Sequence, residues 1–71
     1  MNAIDRINAH PDLAATEHGD RIEIKVFGKP AGYVTHDDVA QAEASISSTG
    51  WPQGKGLRRG ALQVFRAIRG E

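Results

Sequence analysis

The chain has 71 residues, its nine Lys and Arg are balanced by nine Asp and Glu, and it contains no Cys. That length makes one domain (1–71), near the lower size at which an apolar core holds without cross-links. The missing Cys excludes disulfides and thiolate metal sites, and a pI of about 6.8 excludes a uniformly basic nucleic-acid coat. No apolar run approaches a membrane span, and Met1–Asp12 lacks the apolar core of a signal peptide. Small secreted folds are commonly held by bridges, so a cytoplasmic location without a membrane partner is expected.

In chain order, Asn2 can cap a short helix holding Ile4 and Ile7, with Asp5 in its first turn. His10-Pro11 ends it, because the residue before Pro leaves the helical region. Leu13–Glu17 fits either a second helical turn or a strand pairing with Arg21–Val26 across His18-Gly19-Asp20. The strand is expected, since three strands with one covered face are stable where an isolated pair is marginal.

Arg21–Val26 alternates polar and β-branched residues without a break, which puts Ile22, Ile24 and Val26 on one face and Arg21, Glu23 and Lys25 on the other. Gly28-Lys29 offers a type II′ turn with Gly at its first central position. That turn would set Val26 opposite Ala31, Ile24 opposite Tyr33 and Ile22 opposite Thr35, with Tyr33 on the apolar face. Pro30, without an N–H, belongs at the start of an edge strand. Phe27 would sit on the outer face among polar neighbours.

The strand runs into a helix start. Thr35 and Asp38 have capping-box spacing, Val34 and Val39 the spacing of a hydrophobic staple, and Asp37 and Asp38 complement the helix dipole. A helix over His36–Ser47 is expected, burying Val39, Ala42 and Ile46. A Gly-rich loop, 50–56, follows. The last helix is expected from Leu57 to about Arg69, with Leu57, Ala61, Val64, Phe65 and Ile68 in one apolar stripe. Lys55, Arg58, Arg59, Arg66 and Arg69 would share the adjoining arc with Leu62. Gly60 would cost that helix roughly 1 kcal/mol relative to Ala.

Positive charge is concentrated at the end of the chain, since Lys55, Arg58, Arg59, Arg66 and Arg69 face only Glu71 after residue 50. Arg forks suit phosphate oxygens, although a solvated amphipathic face has the same pattern. Gly54-Lys55-Gly56-Leu57-Arg58-Arg59-Gly60-Ala61 resembles the opening of the last helix in double-stranded-RNA-binding domains. The resemblance implies that Arg58 and Arg59 touch phosphates. It covers eight residues, and that family has no helix between its sheet and this turn. A P-loop is excluded, because Gly50-x-x-x-Gly54-Lys55 is one residue short and Gly56 stands where Ser or Thr is needed.

Trp51 reads either as a core plug or, in a loop beside the basic stretch, as a stacking platform. His10, His18 and His36 lack the spacing of a helical metal pair, and no Ser lies on a nucleophile elbow. The expectation is an α+β fold in the order α-β-β-β-α-α, with helices on one face of an antiparallel meander. No catalytic residue, metal or cofactor is expected. The function expected is a regulatory binding module that holds an anionic partner, most naturally nucleic acid, through Trp51, Lys55, Arg58, Arg59, Arg66 and Arg69. The alternative is a protein–protein adaptor or inhibitor acting through its acidic segments or outer sheet face. Self-association through an edge strand fits either.

Overall fold

The computed structural model describes residues 2–45 and 56–71. Helix α1 (Ala3–Ala9) leads into strands β1 (Leu13–His18), β2 (Arg21–Val26) and β3 (Lys29–Thr35). Helices α2 (His36–Ala44) and α3 (Ala61–Ile68) follow, so the α-β-β-β-α-α order is as expected. The strands form one antiparallel sheet in the order β1-β2-β3. Leu13–Glu17 is therefore strand, pairing with β2 from Leu13↔Val26 to His18↔Arg21. No described helix is long and apolar enough to cross a membrane.

One face of the sheet is buried under the helices. Leu13, Ala15, Ile22, Ile24, Val26, Ala31 and Val34 from the sheet meet Ile7, Val39, Val64, Phe65 and Ile68 from the three helices in a single cluster. At roughly 25 cal/mol per Å2 of apolar surface removed from water, this cluster is the main stabilising element of so small a chain. Arg6 ties the helices together at its margin. Its Nε donates to the Ile68 carbonyl at 2.6 Å and its Nη2 to Glu43 at 3.2 Å.

Both caps follow the residues that announced them. Asn2 accepts from the Asp5 amide at 2.9 Å. At α2 the Asp38 amide donates to Thr35 Oγ1 at 3.1 Å, and the Thr35 amide donates to Asp38 Oδ2 at 3.0 Å, so the capping box is reciprocal. The helix stops at Ala44 rather than Ser47. Ser45 turns to extended backbone at ψ 142°, as suits a residue whose hydroxyl competes for backbone partners. The expected burial of Ile46 lies outside the described residues, as do Trp51 and Lys55.

Two expectations need correction. The hairpin turns on Phe27-Gly28, not Gly28-Lys29, with φ of 54° and 76°, and Val26 pairs with Lys29. Two successive positive φ values match the twist of the flanking strands as a type I′ turn does, and they draw Phe27 off the sheet face into the turn. A bulge at Ala31 then sets Ile24 opposite Gly32 and Ile22 opposite Val34. Gly32 thus takes the place opposite Ile24 assigned to Tyr33, and Val34 the place opposite Ile22 assigned to Thr35, so Val34 is buried and Tyr33 turns outward.

The last helix begins at Ala61, not Leu57. Gly60 adopts φ 69°, a left-handed conformation that no right-handed helix continues through. Leu57 is buried all the same, but as a bridge residue against Gly32 on the edge of β3.

Candidate functional site

The outer face of the sheet carries the side chains that the core does not use. Strand alternation sends Arg21, Glu23 and Lys25 of β2 to this face, with His18 opposite Arg21 and Tyr33 opposite Glu23. The Arg21 guanidinium lies over the Tyr33 ring, 4.7 Å from its centroid, where the negative ring face attracts it. His18 Nε2 is 3.7 Å from Glu23 Oε1.

The segment before α3 completes this face. Gly56 accepts from the Tyr33 amide, and the Arg58 amide donates to the Ala31 carbonyl at 2.7 Å, so residues 56–58 lie along β3 through a single antiparallel bridge, Gly32↔Leu57. Because Leu57 points into the core, alternation turns Arg58 outward. His18, Arg21, Glu23, Tyr33 and Arg58 thus line one open groove of about 390 Å3. Arg21, Lys25 and Arg58 outnumber Glu23, and among the described residues none of the three cations is in an ion pair. A phosphate approaching this face meets net positive charge and guanidinium forks shaped for paired oxygens.

Each edge of the sheet is closed at one place. On β3, Pro30 has no N–H to offer and residues 56–58 occupy the next positions. On β1, Asn8 acts as a substitute strand: Ala15 donates to its Oδ1 at 2.8 Å, and its Nδ2 donates to the Ala15 carbonyl at 3.1 Å. Edge-to-edge pairing between copies of the chain is obstructed at both places.

The arginines expected on one helical arc are dispersed. Arg58 joins the sheet face. Arg59 is exposed on the loop beside Ala61 and Leu62, and Arg66 is exposed on α3 beside His10 and Gln63. Arg69 is partly withdrawn, 5.3 Å from the Phe65 ring centroid and 3.4 Å from a Glu71 carboxylate oxygen. Placing Arg58 and Arg59 ahead of the helix also removes the local likeness to the last helix of double-stranded-RNA-binding domains. Reading charge by position along the chain passed over Arg21, Lys25 and Tyr33. The signal for the first two was the strict alternation of β2, which already placed them on one exposed face.

A second hollow, about 280 Å3, lies between α1 and α2 over Ile4 and Val39, with Glu17 and Glu43 at its rim. Both carboxylates have neighbours, since Glu43 holds Arg6 and Glu17 lies 3.6 Å from His36 Nε2. Among the described residues no group of three or more His, Cys, Asp or Glu converges as a metal site would require. Comparison of the chain with protein-family models, curated proteins and solved structures finds no match.

Proposed function

We propose that this protein is a non-enzymatic, cytoplasmic binding module that holds a nucleic-acid strand against the outer face of its sheet. The observation that carries the reading is the bridge of residues 56–58 to β3, which sets Arg58 beside the Arg21–Tyr33 stack. Arg58, Arg21 and Lys25 supply phosphate contacts, and Tyr33 with its guanidinium lid supplies a flat surface for a base. Arg59 and Arg66 lie outside the groove and do not touch the strand. Overall neutrality keeps non-specific attraction weak, so binding rests on this local cluster.

The acidic hollow between α1 and α2 is the weaker candidate for a protein-binding role. It is smaller, and its carboxylates already have cationic or imidazole neighbours. Amide chemical-shift mapping during titration with a single-stranded decamer tests the proposal. Shifts are expected on Arg21–Lys25, Tyr33 and Gly56–Arg58. Shifts confined to α1 and α2, or none at low salt, contradict it.

A further inference from the structure

Among the described residues lining the groove beside Tyr33, one carboxylate is set among cations. Glu23 stands between Arg21 and Lys25 on β2 and directly opposite Tyr33. Its side chain is 45% exposed, and the His18 imidazole at 3.7 Å is too far away to share a hydrogen bond. For a surface that only gripped phosphate, a carboxylate here would be a disadvantage, because it repels phosphate and offsets the two cations beside it. An ionised carboxylate accepts and never donates, so it favours a ligand edge made of donors.

Among the common bases, guanine alone sets two N–H donors side by side, at N1 and N2. Adenine and cytosine place an acceptor next to their amino group, and uracil and thymine flank one N–H with carbonyls. In a duplex the guanine edge is already taken by cytosine, so Glu23 can reach it only in an unpaired strand. The groove volume of about 390 Å3 suits one nucleotide rather than a helix, since small-ligand sites begin at roughly 300 Å3. Resting on the sheet-face reading above, we infer that this groove selects an unpaired guanine in single-stranded nucleic acid. The base lies against the Arg21–Tyr33 stack, its N1 and N2 edge donates to Glu23, and Arg58 holds a flanking phosphate.

The test titrates the full chain with labelled uridine decamers whose central position is guanosine, inosine, adenosine, cytidine or uridine. Inosine lacks the N2 amino group and therefore isolates the second hydrogen bond. The guanosine decamer is expected to bind on the order of tenfold tighter than the uridine decamer, the scale of one bidentate base contact, with inosine between them. Glu23→Gln, shown to melt at the wild-type temperature, should lose this preference by binding the uridine decamer more tightly, since its repulsive carboxylate is gone, without a matching gain for the guanosine decamer. Equal binding of all five decamers by the wild type, or a preference retained in Glu23→Gln, overturns the guanine inference and leaves the sheet-face reading standing. Failure of every decamer to bind overturns the sheet-face reading, and this inference with it.

Discussion

Gly32 and Gly56 meet backbone to backbone, with no room for a side chain on either. A Cβ on Gly32 would run into the Gly56 carbonyl oxygen and stand 2.9 Å from Leu57 Cα. One on Gly56 would strike the Tyr33 carbonyl and lie 3.1 Å from its ring. This contact holds residues 56–58 against β3, and so holds Arg58 in the groove.

Gly32→Ala should therefore cost on the order of 2–3 kcal/mol, combining steric displacement with a strained φ. Gly19→Ala is the control, since φ there is also positive at 65° but nothing lies within 4 Å of the added carbon. It should cost about 1 kcal/mol from backbone strain alone. Urea unfolding of the two variants checks the difference, and equal losses would mean that the glycine contact contributes nothing.

Asn8→Ala removes the side chain that closes the β1 edge. The Ala15 N–H and C=O lose their partners in a partly buried position, at a cost of roughly 1–3 kcal/mol. The opened edge should also raise self-association, visible by sedimentation at high concentration. A variant that stays as stable and as monodisperse as the wild type contradicts the edge-closing role.

At α2, Thr35→Ala should cost on the order of 1 kcal/mol by leaving the Asp38 amide without its cap. Because the cap is reciprocal, Thr35→Ala and Asp38→Ala should not add: the double variant should lose less than the two single losses together. Strict additivity in thermal unfolding would show that the two hydrogen bonds act independently.

The residues that could be read correctly were those whose signal is local. Thr35, Asp38 and Asn2 announce helix starts through chemistry within three residues, and the alternation of Arg21–Val26 fixes its two faces by itself. The turn was hidden because Phe27, a non-glycine residue, takes φ 54°. The bulge at Ala31 then moved Tyr33 from the core side to the outside, and no short-range pattern marks such an insertion. Leu57 and Ala61 are four residues apart, so a bridge residue followed by a helix start imitates one turn of helix. That coincidence assigned Arg58 and Arg59 to a helical face. The candidate site was least legible for the same reason, since Arg58 reaches Arg21 and Tyr33 only through the long-range contact of Leu57 with Gly32.

The most direct test is the salt dependence of single-strand binding by the wild type, Arg58→Ala, Arg21→Ala and Arg66→Ala. Arg66 serves as the comparison because it too is an exposed cation, on α3 and outside the groove. Arg58→Ala and Arg21→Ala should each weaken binding and flatten the log–log salt slope by about 0.7, the value for one phosphate contact on a single strand. Arg66→Ala should leave affinity and slope near wild type. Absence of wild-type binding at low salt, where screening is weakest, or a loss in Arg66→Ala as large as that in Arg58→Ala, would contradict the assignment of the sheet face as the binding surface.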